Sequence, residues 1–414
     1  MTRTLTAVAL LCAAGTLIAA EPAGPAAPDH LAQVEALADN TVMWMPKFKT
    51  AGEGLDAWPT FKSSGPGVRD FCNRIVYAPD RKTGLYCGGN HGSPHRFNDA
   101  WEYDLATNTW TLLFAPDGGN HHVNIRKPGW LKENVVIKDG YVQTKKGGPV
   151  NPVHTWWGLT YDSDAKKMLW MNVVYFHGSG AADKIAKATG KDPADLRAQL
   201  KPHSVLWMFD PEKKQWQCQV GEPPFPKGRC QGAMLEYVPK TKKTYWFANQ
   251  WNESGLWEYD AAANKWTQLA ANGIKFFYAR KPKLYPGAEI VSAYDSRRHR
   301  ILIGWKTLLY ELDLTKMTLT LIKEDESVRM WDSSSVFAYD SANDACLLLG
   351  RGKGAFTLSA FDCAKKTWTA LTPEGAPYSG RRLAGYYDTA RNAFVVYNGA
   401  RVWVYRYKRA KDTK

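Results

Sequence analysis

Four times along this chain an aromatic residue stands seven positions ahead of a tryptophan: Tyr103/Trp110, Phe209/Trp216, Tyr259/Trp266 and Phe361/Trp368. Each first member is followed by an aspartate, Asp104, Asp210, Asp260 or Asp362. A degenerate copy, YELDLTKMTLTLI, puts Leu312-Asp313 and Leu319 in the same places. Upstream of these units runs a second repeating strand whose aligned tyrosines are Tyr77, Tyr161, Tyr237, Tyr294, Tyr339 and Tyr387. The aspartates suit tight turns, and the aromatic bodies suit the space between neighbouring sheets. A unit of this size cannot bury its own faces, so the copies must stack on one another. The repeat therefore predicts an all-β chain: a single β-propeller of six four-stranded blades, with seven as the alternative if residues 114–152 form a degenerate blade. The 18 Trp and 20 Tyr supply the inter-blade packing such a ring requires.

The last repeat, Leu383–Tyr405, supplies three strands and then runs out into the basic tail 409–414. Thr41–Met45, TVMWM, is a strand-like run standing alone near the start. A propeller avoids exposed sheet edges by pairing one chain end with the other, so TVMWM is expected as the outer strand of the last blade. The propeller then spans 41–408, and residues 46–67 cross over to blade one. Two insertions interrupt the repeats, 114–152 between blades one and two and 178–203 inside blade two. The first holds a possible hairpin around NVVIKDGYVQT. The second reads as one or two short helices, with Asp192 and Pro193 placed to start the second. Loops of this length in a compact domain are usually functional or disordered.

Residues 1–20 carry one Arg and then the apolar run Ala7–Ala20, the pattern of a secretory signal peptide cut near Ala20. Residues 21–40 are a linker. No later stretch is long and apolar enough for a membrane span, so a periplasmic or secreted protein is expected. In an oxidising compartment the neighbouring cysteines Cys72 with Cys87, Cys218 with Cys230, and Cys346 with Cys363 are disulfide candidates. None has metal spacing. The formal net charge of +14 favours an acidic partner, such as an anionic glycan. Export argues against nucleic acid.

Propeller topology sorts the loops onto two faces. Both insertions fall on one, with most of the histidines and several arginines. His91, His95, His154, His177, Arg229, Arg351 and Arg382 are the candidate ligand-binding residues on that face. Four readings fit them. Arginine offers a planar fork for carboxylate or sulfate, and Trp130, Trp156, Trp157, Trp251 and Trp305 offer platforms for sugar rings. A metal site is the second reading, but HGSPH is a loop, and HxxxH spacing aligns two rings only on a helix. Proton abstraction beside a uronate carboxylate is the third. The fourth is structural, with these groups satisfying the backbone near the channel mouth or meeting a protein partner. No phosphate loop, nucleophile elbow or paired carboxylates stand out. The expected role is binding rather than catalysis, with no cofactor and no metal.

The stretch YCGGNHGSPHRFNDAWEYDLATNTW, with Gly88, Gly89, Tyr103 and Trp110 in place, resembles a kelch-repeat blade, and the likeness extends over roughly residues 68–408. NPVHTWWGLTYD resembles the second-blade entry of exported bacterial kelch proteins. The wider resemblance is to the central domain of galactose-oxidase-like proteins. It implies the fold and not the oxidase: that family's copper is held by two Tyr and two His, and this set has no counterpart here. A periplasmic kelch epimerase makes a uronate-acting lyase or epimerase the alternative activity.

Overall fold

The structure is a computed structural model, and it describes residues 30–69, 71–89, 97–117, 124–152, 155–172, 176–201, 205–219, 224, 226, 233–250, 253–270, 290–331, 335–351 and 355–410. Within them, six sheets, each with four antiparallel strands, form a ring. The innermost strands are Val76–Ala78, Leu159–Asp162, Met234–Val238, Val291–Asp295, Ser335–Asp340 and Ala384–Asp388. Each packs on the next, and the last packs on the first. The chain is a six-bladed β-propeller.

The seven-residue spacing has a simple structural meaning. Tyr103 lies directly across from Trp110, Phe209 from Trp216, Tyr259 from Trp266 and Phe361 from Trp368, on the two outer strands of their blades. Ring centroids in these pairs are 4.9, 5.0, 4.9 and 5.1 Å apart. Leu312 and Leu319 pair in the same register in blade four. The aspartate behind each aromatic accepts hydrogen bonds from backbone amides two or three residues on: Asp104 from Ala106, Asp210 from Glu212 and Lys213, Asp362 from Ala364 and Lys365. Several turns then pass through a left-handed residue, among them Asn108, Lys166, Lys214, Lys242 and Lys366. Many of the chain's lysines are thus solvated turn residues.

The aligned tyrosines all sit on innermost strands, where four of them stitch blade to blade. Tyr161 donates to Asp80 of blade one at 2.7 Å, Tyr237 donates to Asp164 of blade two, and Tyr387 donates to Asp340 of blade five at 2.6 Å. Tyr77 accepts from the Ala390 amide of blade six at 3.3 Å.

Blade six takes its outermost strand from the other end of the chain. Thr41–Trp44 runs antiparallel to Val402–Arg406, with Met43 opposite Val404 and Trp44 opposite Trp403. The region read as a linker contains a docked helix, His30–Ala36, with Val34 fully buried and its carbonyl accepting from Arg406. Residues 46–67 do more than cross over. Lys49–Gly52 adds a parallel fifth strand to blade one, beside Thr109–Phe114. Residues 124–152 form no blade: they hold the helix Pro128–Asn134 and a two-stranded hairpin, Val135–Lys138 with Tyr141–Thr144.

Candidate functional site

The two insertions are far apart in sequence but share one core. Ile125, Leu131, Val142 and Val150 from the first pack with Ala182, Ile185 and Leu196 from the second, and with Phe176 just before it. The helix Ser179–Thr189 buries Ala181, Ala182, Ile185 and Ala186, two i,i+4 pairs on a single face. It ends where Gly190, at φ 73°, donates to the Ala186 carbonyl. The helix Pro193–Ala198 starts where Asp192 accepts from the Ala194 amide at 2.7 Å. Together these elements make a cap over one face of the ring.

His177 belongs to the cap's interior rather than to an open binding surface. The residue is 8% exposed, and its ring stacks on Tyr141 with centroids 6.0 Å apart and places Nε2 2.9 Å from the Lys201 carbonyl. The Lys201 amide in turn donates to Gly140 at the hairpin turn. Sequence spacing could mark His177 as belonging to this face, but not that tertiary packing would bury it.

The diglycine meets the second-blade entry. The Gly89 amide donates to Thr155 Oγ1 at 2.8 Å, and the Thr155 amide donates back to the Gly89 carbonyl at 3.1 Å. Gly88 has φ 84°, and a Cβ there would lie 2.2 Å from Thr155 Oγ1, so only glycine fits. His91, His95, His154 and Arg229 lie outside the described residues.

Beneath this junction sits a fully buried ion pair, Arg69 with Asp99. Arg69 Nη1 also donates to the Gly88 carbonyl at 2.6 Å, and Trp101 Nε1 donates to Asp99 Oδ2 at 2.6 Å. Tyr86 completes the cluster, accepting from the Arg69 amide and donating to the Cys72 carbonyl.

Arg351 and Arg382 are exposed on the capped face, at blade five and at the entry to blade six. Both border an aromatic corner. Arg351 pairs across strands with half-buried Phe356, and the Arg382 carbonyl accepts from Tyr378 Oη at 2.5 Å. Tyr378 stacks on Trp44 at 5.8 Å and meets Phe356 edge-on at 4.9 Å. None of these rings was singled out from the sequence; only the pairing of the chain ends brings Trp44 here. Of the expected platforms, Trp156, Trp157 and Trp305 are buried, Trp130 is half-buried in the cap, and Trp251 lies outside the described residues.

The central channel is blocked partway by a polar cluster. Arg74, entering blade one, reaches to blade three, where Nη2 meets Glu236 Oε2 at 2.6 Å and Nη1 donates to the Leu235 carbonyl at 2.8 Å. Ser292 of blade four donates to Glu236 Oε1 at 2.6 Å. The guanidinium lies 5.2 Å over the Trp157 ring, whose Nε1 donates to the Ser292 carbonyl. Beyond this plug, a cavity of about 280 Å³ runs to the face opposite the cap.

Among the described residues one set of potential metal ligands converges, Asp295, Asp344 and Cys363, with ligand atoms within 4.8 Å of one another. It is already served by cations. Arg298 donates to both carboxylates, Arg300 Nε donates to Asp295 at 2.9 Å, and the Arg298 hydrogen bonds hold the Asp344 carboxyl below its usual range. Two guanidiniums stand where an ion would.

The described cysteines are unbridged in this structure. Cys346 and Cys363 have their sulfurs 4.0 Å apart, about twice the ~2.05 Å of a disulfide. Cys72 donates instead to the Cys87 carbonyl at 3.1 Å. Cys218 is free, and Cys230 lies outside the described residues. Titrating thiols in denaturant without reductant is expected to detect at least the five described cysteines; a lower count would mean that the protein is oxidised.

Fold and cap define a capped six-bladed propeller. Comparison adds little beyond that: no protein-family model matches the chain, and no curated protein matches it. Among solved structures, it is similar to a GH74 xyloglucanase from Xanthomonas campestris, with a TM-score of 0.42 and 14% identity. That match covers 81% of this chain but 43% of the xyloglucanase, so the chain spans less than half of that protein's length. A likeness at this level bears on no question of substrate.

Proposed function

We propose that the chain is an exported kelch-type propeller that binds an anionic carbohydrate on its capped face. The observation that carries this reading is the cap. Two insertions join in one core, and the first exposes Arg126, Lys127, Lys132, Lys138, Lys145 and Lys146 against Glu133 and Asp139. Arg351 and Arg382 stand on the same face beside the aromatic corner. Guanidinium forks suit uronate carboxylates or sulfates, and a half-buried ring such as Phe356 suits the apolar face of a sugar.

Replacing Arg351 and Arg382 together by alanine tests this. Charge-assisted hydrogen bonds contribute about 1.5–3 kcal/mol each, so affinity for a uronate polymer is expected to fall at least tenfold. The melting temperature should barely move, because both side chains are exposed. Unchanged binding by the double variant would overturn the assignment. Unsaturated product accumulating during the same assay would turn the reading to a lyase. Sequencing the mature N-terminus, expected near Ala20, tests the export.

A further inference from the structure

The channel cavity on the uncapped face has an uneven supply of hydrogen-bonding groups. Its inner end is the Arg74–Glu236–Ser292 cluster, and its mouth is at turn residues Pro79, Ser163, Pro239 and Thr389. Between them its wall is lined by the six aligned tyrosines and by apolar groups such as Val76, Ala293 and Phe337.

The protons on this wall are largely committed. Tyr161, Tyr237, Tyr339 and Tyr387 donate to Asp80, Asp164, Asp344 and Asp340. An ionised carboxylate can only accept, and Tyr387 has Asn392 Oδ1 as a second acceptor for its one proton. Burial, and then the neighbouring carboxylates or hydrogen bonds to them, push the phenols of Tyr161, Tyr237, Tyr339 and Tyr387 upward, which keeps them protonated as donors. The Ser292 hydroxyl proton is given to Glu236. Arg74, the one cation of the lining, has Nη1 on a carbonyl, Nη2 on Glu236 and its flat face on Trp157. Apart from the buried Tyr386 hydroxyl, which has no hydrogen-bond partner, phenol and hydroxyl lone pairs remain. The cavity therefore offers acceptors and aromatic bodies and few protons, and aromatic walls attract cations.

From this we infer a second binding site, in the channel cavity of the uncapped face, for a small organic cation bearing N–H donors: an alkylammonium or short diamine. Such a ligand supplies the missing protons, and about 280 Å³ has room for a short alkyl chain with an ammonium at each end. The site is separate from the anion-binding reading of the capped face, because the Arg74–Trp157 plug lies between them. The formal net charge of +14 also disfavours adventitious surface binding of a cation.

Calorimetric titration with 1,5-diaminopentane, 1,5-pentanediol and glutarate tests the inference. The diamine is expected to bind, with the diol at least tenfold weaker and glutarate silent. Ala338→Leu, which fills the wall, and Glu236→Gln, which removes the carboxylate charge at the inner end, should each weaken the diamine at least tenfold. Circular dichroism checks that both variants fold; if Glu236→Gln does not, Ala338→Leu alone decides. The variant lacking Arg351 and Arg382 should bind the diamine normally, so failure here is distinguishable from failure of the carbohydrate reading. Equal binding of diol and diamine, no diamine binding, or diamine binding indifferent to Ala338→Leu would overturn the site.

Discussion

Replacing Asp99 by alanine is expected to cost about 3–5 kcal/mol of folding free energy, because it leaves the Arg69 guanidinium charged and unpaired in the interior. Both partners are completely buried, so no solvent screening softens the loss. Arg69 also holds the Gly88 carbonyl, so the base of the diglycine loop should loosen as well. Arg69→Ala should cost a similar amount by stranding Asp99. The joint replacement Arg69→Met with Asp99→Leu should recover much of either loss, since removing both charges removes the desolvation problem. Guanidinium denaturation of the four proteins makes the comparison. A single-variant loss below about 1 kcal/mol, the usual range of an exposed pair, would mean that water reaches the site.

A chain that begins at Phe48 is expected to lose still more. The deleted segment buries Val34, Leu37, Val42 and Met45 against the propeller. At about 1.5–3 kcal/mol for each buried side chain, their sum rivals the ~5–15 kcal/mol net stability of a typical domain. The deletion also uncovers Val402–Arg406 and removes the bonds from Arg406 to Val34 and from Tyr405 to Asn40. The melting temperature should fall by on the order of 10 °C or more. A peptide of residues 30–47 added in trans should restore part of it. A shift of only a few degrees would show that blade six stands on three strands.

The repeat frame was legible because each of its signals is local. Tyr103 and Trp110 are cross-strand partners in one hairpin, so their spacing is set by turn length alone. Leu312 and Leu319 keep that spacing without any aromatic ring. The cap was legible only in pieces. The hairpin and the Asp192-capped helix follow from short-range patterns, but nothing near Ile125 says that Ile185 will pack into the same core. For the same reason nothing near His177 in the sequence says that the cap will bury it. Arg74 and Glu236 carried no signal, being joined across the channel by ring geometry alone. Cys346 and Cys363 are close in space, yet proximity in a sheet does not by itself bring two sulfurs to bonding distance.

The pairing of Thr41–Trp44 with Val402–Arg406 sets a clock on folding. Blades one to five draw their strands from consecutive stretches and can begin to assemble as those stretches appear. Blade six cannot, because its outer strand is made first and its partner almost last. Until then Val402–Arg406 does not exist, and the early strand waits with its amides unpaired. Loop-closure entropy for so distant a contact must be met before any reward arrives. Refolding should therefore show a late, slow phase reporting on Trp44 and Trp403, and chains stalled before that step should be the aggregation-prone ones.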